Sequence, residues 1–424
     1  MTKIWTKIKP IDINPFVESY TVGDDNLLDE KYFFGYDIDA SIAHAGGLIN
    51  AGIYTPEEFY KVHEVLKEIK DEWLAGSIKV GVSDEDCHAV IERLLTERLG
   101  DLGKKIHTGR SRNDQALVMM RLFMVNTLED DILTELATLR RYLSVISEKY
   151  RGQIFIGYTH TQQAMPTTLG HYFDSFFEQV NDDERYVKSV LKSIHQNPLG
   201  SGAGFGSTVD IDREWLTTQL KFKKLQKNSL YCQNSRGKFE LKYIHAQSQI
   251  MLTLQKIATD MLMYTSQEFN FFTANDSITT GSSMMPQKKN LDIAEIIRAK
   301  HGMIVGIENQ VQTISHGLIS GYNRDMQLIK KCMVESYEIT LSSIKATNHL
   351  LRNLTVNPDS IKNKINKTMF AADMATEYSI RENIPFRDAY KEVMDEIEYM
   401  HIDVIDPMSL VKKRKTLGSP GNYY

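Results

Sequence analysis

Residues 280–290 combine, in one short stretch, groups that can remove a proton with groups that can bind an anion. The hydroxyls of Ser282 and Ser283, two lysine ammonium groups and the carboxamide of Asn290 stand beside a glycine and a proline. A core segment has no use for these groups, because burying them unpaired is costly. The composition predicts a mobile loop that closes over an anionic substrate and takes a proton from it.

Residues 107–115, His-Thr-Gly-Arg-Ser-Arg-Asn-Asp-Gln, come directly before a long helical pattern. Arg110, Ser111 and Asn113 therefore stand where a helix begins, and helix N-termini offer free N–H groups and partial positive charge that suit carboxylates. An ordinary polar cap is the simpler alternative. Two arginines oppose the helix dipole at this end, however, and a bound anion would relieve that conflict, which favours an anion site.

A third polar segment, 157–166, contains His160 among hydroxyl and carboxamide side chains. A single histidine is more often structural than catalytic, but such neighbours can hold its ring in one tautomer. Glu295 follows Ser282 by thirteen residues, in the first turns of the next helical pattern. A carboxylate there can pair with an imidazole and raise its pKa.

A fourth segment, 321–330, opens another helical pattern. On a helix, the spacing of its polar residues would place several of them on one face. The outer face of an ordinary helix would look the same, so this segment alone is a weak indication. The residues that would share the face are Tyr322, Asn323, Gln327 and Lys330.

Long helical patterns separate these polar segments and must position them. Apolar residues recur at steps of three and four through 114–150, and 236–272, 291–317 and 322–353 are of similar length without proline. A helix of 35 residues is roughly 50 Å long, and helices of that length bury their apolar stripes by packing side by side. The sequence therefore predicts an all-α protein built on a long helical bundle.

The ends of the long patterns suggest three domains: an N-terminal helical domain (1–106), a central bundle (107–355) and a C-terminal helical domain (356–424). The first includes 55–74, which opens Thr-Pro-Glu-Glu, an N-cap with proline at the first helical position. The glycine-rich stretch 197–210 lacks the spacing of a nucleotide-binding loop and is predicted to be a connector between helices.

Composition excludes several classes of function. A net charge of −5 argues against a broad nucleic-acid surface. Three distant cysteines and no close His or Cys ligand motif favour neither a disulfide framework nor a metal site. The first residues lack an apolar signal region, and no apolar run approaches the roughly 20 residues of a membrane span. We therefore expect a cytoplasmic protein with no nucleic-acid partner and no membrane contact.

Taken together, the polar segments resemble those of the argininosuccinate lyases, in the fumarase/aspartase superfamily. The form Gly-Ser-Ser-x-Met-Pro-x-Lys-x-Asn at 281–290 is the superfamily signature, and 107–115 and 157–166 narrow the resemblance to this family. Further matches are Asp-Glu-Asp-Cys-His at 84–88, Asn-Pro-Leu-Gly-Ser-Gly at 197–202 and Pro-Phe-Arg-Asp-Ala-Tyr at 385–390.

The resemblance implies an all-α homotetramer with a small domain at each end of the chain and a central five-helix bundle. Four bundles would form a twenty-helix core, and each active site would take segments from three subunits. The implied reaction splits 2-(N-omega-L-arginino)succinate into L-arginine and fumarate, the last step of arginine biosynthesis, without a cofactor or metal.

The resemblance also assigns roles to residues of this chain. Ser282 would be the catalytic base, and His160, paired with Glu295, the partner acid/base. Lys288 would assist catalysis and, with Asn290, bind the succinyl carboxylate.

Further substrate contacts would come from Asn113 and Thr159, with Arg110 and Ser111 nearby. The arginine end of the substrate would lie against Tyr322, Gln327 and Lys330.

Residues 228–237 depart from the family pattern next to the expected active site, so they bear on substrate preference. One alternative is therefore a sister lyase that acts on another succinyl-amine, such as adenylosuccinate. A second is a non-catalytic structural protein, since this fold also serves as an eye-lens crystallin. The joint presence of Ser282, His160, Lys288 and Glu295 argues against the second alternative.

Overall fold

The computed structural model describes residues 14–397, 399 and 406–422. The first residues, on which the prediction of no signal peptide rests, lie outside this part, as does the end of the helical segment expected over 386–400.

The α-helices are α1 (Pro15–Val22), α2 (Asp25–Leu28), α3 (Phe34–Asn50), α4 (Pro56–Leu74), α5 (Cys87–Leu99), α6 (Asp101–Lys104), α7 (Arg112–Asn126), α8 (Leu133–Lys149), α9 (Leu169–Ile194), α10 (Arg213–Gln219), α11 (Ser229–Asn234), α12 (Lys238–Tyr264), α13 (Asp292–Ser315), α14 (Ile329–Arg352), α15 (Pro358–Asn363), α16 (Ala371–Glu382), α17 (Phe386–Ile397) and α18 (Pro407–Lys413).

Within the described ranges, short strands form three two-stranded pairs. An antiparallel hairpin joins β1 (Ile154–Thr159) to β2 (Gln162–Thr168), β3 (Gln196–Asn197) pairs in parallel with β4 (Lys224–Leu225), and β5 (Phe272–Ala274) pairs antiparallel with β6 (Leu354–Val356). Asp29–Phe33 and Thr127–Ile132 are π-helical. The 3-10 turns are Val82–Asp84, Lys105–His107, Asp276–Ile278, Arg324–Leu328 and Lys367–Phe370. The predicted all-α class is confirmed.

The chain divides into two compact units that do not follow its three predicted segments. The first unit is Met1–Leu133, Tyr186–Gln249 and Met303–Leu341. The second is Thr134–Arg185, Ile250–Gly302 and Ser342–Tyr424. Because α12, α13 and α14 each contribute to both units, this division cuts through the long helices, and the three-domain boundaries stay a prediction.

The long helical patterns are present, with some ends moved inward. α7, the π-helical segment and α8 run without a break from Arg112 to Lys149. α12 ends at Tyr264 rather than at 272: a turn follows over 265–269, Asn270 takes a left-handed backbone (φ 48°), and the chain enters β5. α14 begins at Ile329 rather than 322, because a 3-10 turn precedes it.

In the second unit, an aromatic cluster holds the base of the β1–β2 hairpin. Phe155 on β1 is buried, and its ring centroid lies 5.2 Å from that of Tyr172, 5.3 Å from Tyr264 and 5.7 Å from Phe271. Aromatic pairs at these separations stabilise beyond the area they bury. The hairpin therefore projects from a rigid base. No helix in the described part of the chain is both long and apolar enough to cross a membrane.

The predicted start of α4 is confirmed as a capping box. The hydroxyl of Thr55 accepts from the backbone N–H of Glu58 (3.2 Å), and the Glu58 carboxylate accepts from the N–H of Thr55 (3.0 Å). Replacing Thr55 with alanine should lower the free energy of unfolding by about 1 kcal/mol, because a free N–H of the first turn loses its partner. Urea unfolding measures the change. Thr55→Ser, which keeps the oxygen, should unfold like the wild type, and equal losses in both variants would contradict the cap.

Candidate active site

A polar cavity of about 180 Å³ lies in the first unit and collects residues from distant parts of the chain. Carboxylates and cations line it together, so both a cationic and an anionic group of one ligand would find partners there. Four of the substrate-binding residues predicted from the sequence line this cavity: Asn113, Tyr322, Gln327 and Lys330.

Asn113 reaches the cavity because α7 begins where the sequence predicts. Ser111 is the N-cap: its hydroxyl accepts from the N–H of Asn113 (3.2 Å). The Asp114 carboxylate completes a capping box by accepting from the backbone N–H of Ser111 (2.9 Å). The other oxygen of Asp114 accepts from the backbone N–H groups of Gly200 (3.1 Å) and Gly202 (3.0 Å). The glycine-rich connector is therefore bound to the start of this helix, and no nucleotide is needed to explain its glycines.

Of the two arginines at this helix start, Arg112 forms ion pairs within the protein, and Arg110 interacts electrostatically with the nearby carboxylates of Asp37 and Asp114. Arg112 pairs with Glu85 and Asp86, each at 3.1 Å, so the predicted conflict with the helix dipole is relieved by carboxylates of the chain itself. Arg110 is buried, and its Nη1 donates to the hydroxyl of Ser41 at 2.9 Å. The argument for a bound anion from these two charges is weakened accordingly.

Lys330 is the most constrained group of the cavity. Its side chain is only 4% exposed, and Nζ donates to Asp29 (2.7 Å) and Asp25 (2.9 Å). Burial alone would lower the pKa of Lys330, but the two carboxylates outweigh burial and raise the pKa above its usual value. Burial raises the pKa of Asp25 to about 6, because Lys330 only partly offsets it. The ammonium charge is therefore fixed at neutral pH.

Gln327 and Tyr322 lie beside this ion cluster. The Gln327 carboxamide donates to the carbonyl oxygens of Thr21 (3.0 Å) and Val22 (3.2 Å) at the end of α1. The ring of Tyr322 lies 4.9 Å from the guanidinium carbon of Arg236, within the range of a cation–π contact. The helix face predicted for these residues is interrupted, since Gln327 belongs to the 3-10 turn and Lys330 to α14.

Arg236 also lines the cavity, and the sequence did not single it out. It is 6% exposed, and two of its guanidinium nitrogens, Nε and Nη1, have no hydrogen-bond partner among the described residues. It falls in 228–237, the segment that departs from the family pattern. The sequence offered one indication of its importance: Arg236 matches the family pattern, although most of 228–237 does not.

The second unit holds the other predicted groups. His160 and Thr161 form the two-residue turn between β1 and β2, both with a left-handed backbone (φ 52° and 60°), as a type I′ turn requires. The sequence did not predict strands here, because that turn usually uses glycine or asparagine. Thr159 and His160 are exposed at the tip, and the His160 ring has no hydrogen-bond partner among the described residues. Non-glycine residues held in this conformation cluster at functional sites.

The loop 280–290 is closed at its base and open at its tip. Thr280 and Asn290 exchange two backbone hydrogen bonds (3.0 and 2.8 Å). Within the loop, the hydroxyl oxygen of Ser282 accepts from the N–H groups of Met285 (3.1 Å) and Met284 (3.3 Å). Two N–H donors on one oxygen stabilise negative charge there, which is what a serine base needs.

Lys288 on this loop and Glu295 on α13 are exposed. The structure describes no ion pair or hydrogen bond between Glu295 and His160 in the described part of the chain. Their pairing stays a prediction, as do the roles of the loop residues.

One buried group combines metal-ligand types: Asp37, Cys87 and His88. His88 Nδ1 lies 2.7 Å from an Asp37 oxygen, while the Cys87 sulfur lies 3.8 Å from that oxygen. Burial, reinforced by neighbouring carboxylates, raises the pKa of Cys87 well above its usual value. Because the His88 nitrogen and the Asp37 oxygen lie at hydrogen-bond distance from each other, we interpret the group as a hydrogen-bonded cluster.

Replacing Lys330 with methionine should cost about 3–5 kcal/mol of unfolding free energy, because two buried carboxylates lose their counter-charge. Lys331→Met is the matched control: Lys331 pairs with Asp24 at the surface (3.0 Å, side chain 55% exposed) and should cost less than about 1 kcal/mol. Urea unfolding measures the free energy of unfolding of both variants. Equal losses in the two variants would contradict a stabilising role for the buried Lys330 cluster.

Known proteins match this chain over most of its length. The family described as Lyase matches residues 20–306. The argininosuccinate lyase of Thermotoga neapolitana is 37% identical over 93% of this chain and 98% of its own. Two solved structures share the fold: EDDS lyase in complex with formate (TM-score 0.79, 21% identity, 97% of this chain and 88% of that chain) and a class II fumarase from Schistosoma mansoni (TM-score 0.74, 16% identity, 92% and 94%). The chain thus belongs to the argininosuccinate lyases of the Lyase family.

Proposed function

We propose that the protein cleaves 2-(N-omega-L-arginino)succinate to L-arginine and fumarate, as the last step of arginine biosynthesis. The observation that carries this proposal is the cavity of the first unit, where Asn113, Tyr322, Gln327 and Lys330 meet from two segments about 200 residues apart. Those segments are the ones that the family resemblance assigns to the substrate.

The cavity suits the arginine end of the substrate. An amino acid carries an ammonium, which needs acceptors, and a carboxylate, which needs donors. Asp25, Glu85 and Asp86 supply acceptors, while Arg236 and Lys330 supply charged donors. This mixture fits a zwitterionic group better than it fits a purely anionic ligand.

The reaction begins with proton removal next to a succinyl carboxylate. In the proposed mechanism the Ser282 oxygen takes this proton, and the two N–H donors from Met284 and Met285 stabilise the deprotonated serine. The carbanion is held as an aci-carboxylate, whose charge Lys288 and Asn290 stabilise. The electron pair then forms the fumarate double bond as the C–N bond breaks, and the guanidine leaves with a proton.

His160 is the proposed partner acid/base, with Glu295 as its carboxylate and Thr159 as a neighbouring substrate contact. The tip of a hairpin on a rigid aromatic base presents His160 to a ligand or to another chain. No cofactor enters this scheme, because the carboxylate next to the reacting carbon provides the electron sink.

We also propose a homotetramer in which each active site uses segments of three chains. α13 supports it with an exposed apolar strip along one face: Ile296 is 55% exposed and Met303, two turns later, 56%. Strips of this kind on a long helix mark protein–protein contacts. The cytoplasmic location is a further proposal, in keeping with three buried free cysteines.

The direct test is to incubate the purified protein with argininosuccinate and follow fumarate by its absorbance. Adenylosuccinate and aspartate run in parallel. Fumarate from argininosuccinate alone is expected. Faster turnover of adenylosuccinate would favour a sister lyase, and no fumarate from any substrate would favour a structural protein.

Ser282→Ala should reduce turnover by about 10³-fold or more, because the base is lost while the fold is unaffected. Ser283→Ala is the matched control and should keep most of the activity. Steady-state kinetics, with size-exclusion chromatography to confirm the assembly, measure both. Near-wild-type turnover of Ser282→Ala would rule out the assignment of the base.

His160→Asn should lower kcat by orders of magnitude more than it raises KM, because an acid/base group acts in the transition state. Kinetics with argininosuccinate separate the two constants. A variant that changes only KM would make His160 a binding residue instead.

A further inference from the structure

The motif at 84–88, Asp-Glu-Asp-Cys-His, has no role in the mechanism above, although its last residue lines the cavity. His88 lies in the first turn of α5, which Asp86 caps by accepting from the N–H of Ala89 (2.9 Å). The helix start therefore fixes the backbone from which the imidazole projects.

The two nitrogens of His88 differ in their surroundings. Nδ1 lies 2.7 Å from a carboxylate oxygen of Asp37, which is fully buried and also accepts from Gln115 (3.3 Å). Nε2 is buried and has no hydrogen-bond partner among the described residues. The whole side chain is only 4% exposed, so little water is available to take the place of that partner. Since Nδ1 is taken by Asp37, Nε2 is the nitrogen left for a ligand.

Asp37 also sets the charge of this imidazole. Burial alone would lower the pKa of His88, but the adjacent carboxylate outweighs burial and raises it. Burial alone would raise the pKa of Asp37, but His88 and Arg110 lower it. The 2.7 Å contact and both pKa directions favour the pair of carboxylate and imidazolium, the form in which both ring nitrogens carry a proton.

A donor at Nε2 needs an acceptor on the ligand. At the arginine end of the proposed substrate, the ammonium and the guanidinium have no acceptor atom, so only the α-carboxylate can receive this hydrogen bond. We propose that Nε2 of His88 binds the α-carboxylate of the arginine portion, with Asp37 as the positioning residue. This inference rests on the proposed function, because it uses the identity of the substrate.

The test separates this role from a structural one by changing the protein and the ligand together. Asparagine at position 88 places its amide near the position of Nδ1, so His88→Asn keeps a donor for Asp37 and removes only Nε2. Agmatine is arginine without the α-carboxylate. Isothermal titration calorimetry measures the affinity of wild type and variant for L-arginine, agmatine and fumarate.

We expect His88→Asn to weaken L-arginine binding by about tenfold or more, the effect of a charged hydrogen bond, and to leave agmatine and fumarate binding unchanged. Equal weakening of arginine and agmatine would overturn the proposal, because it would show a general distortion of the cavity. Unchanged arginine binding would also overturn it. His88→Gln, whose amide reaches the position of Nε2, should recover part of the preference for arginine.

The result is independent of turnover. If the wild type makes no fumarate from argininosuccinate, the proposed function fails whatever the binding data show. If it makes fumarate and His88→Asn keeps the wild-type preference for arginine over agmatine, only the His88 assignment fails.

Discussion

The buried ion cluster of Lys330 is the interaction on which the candidate site depends. Asp29 accepts from Lys330 through one oxygen and from the backbone N–H of Cys87 through the other (3.1 Å). One carboxylate thus joins the start of α14 to the start of α5, and His88 is the next residue along α5. Without the Lys330 ammonium, the buried carboxylate of Asp29 would have no counter-charge, which is costly. The cluster therefore fixes the positions of Lys330 and His88 relative to each other.

Much of the fold follows from local rules that a sequence displays. The long helices follow from apolar steps of three and four, and the starts of α4 and α7 follow from Thr55 and Ser111 as caps. The β1–β2 hairpin was missed because its turn is built on His160 and Thr161, which rarely adopt a left-handed backbone. That exception places the proposed acid/base at an exposed tip.

Part of the membership of the candidate cavity was predictable, but its pairings were not. The resemblance named Asn113, Tyr322, Gln327 and Lys330, yet the contacts between Lys330 and the 25–29 segment join positions about 300 residues apart. No periodicity reveals such pairs. The same holds for His88 and Asp37, and for Arg236, whose role depends on burial. The N–H donors to Ser282, in contrast, belong to Met284 and Met285 within its own loop, so no distant contact is needed to place them.

The central proposal is that different chains supply the catalytic groups of one site. The most direct measurement mixes two inactive variants, Ser282→Ala and His160→Asn, after unfolding and refolding them together. If each site takes these residues from different chains, random tetramers should regain about a quarter of the wild-type activity, since some sites receive both intact groups. Activity that stays at the sum of the two parents would show that one chain supplies both groups and would contradict the account.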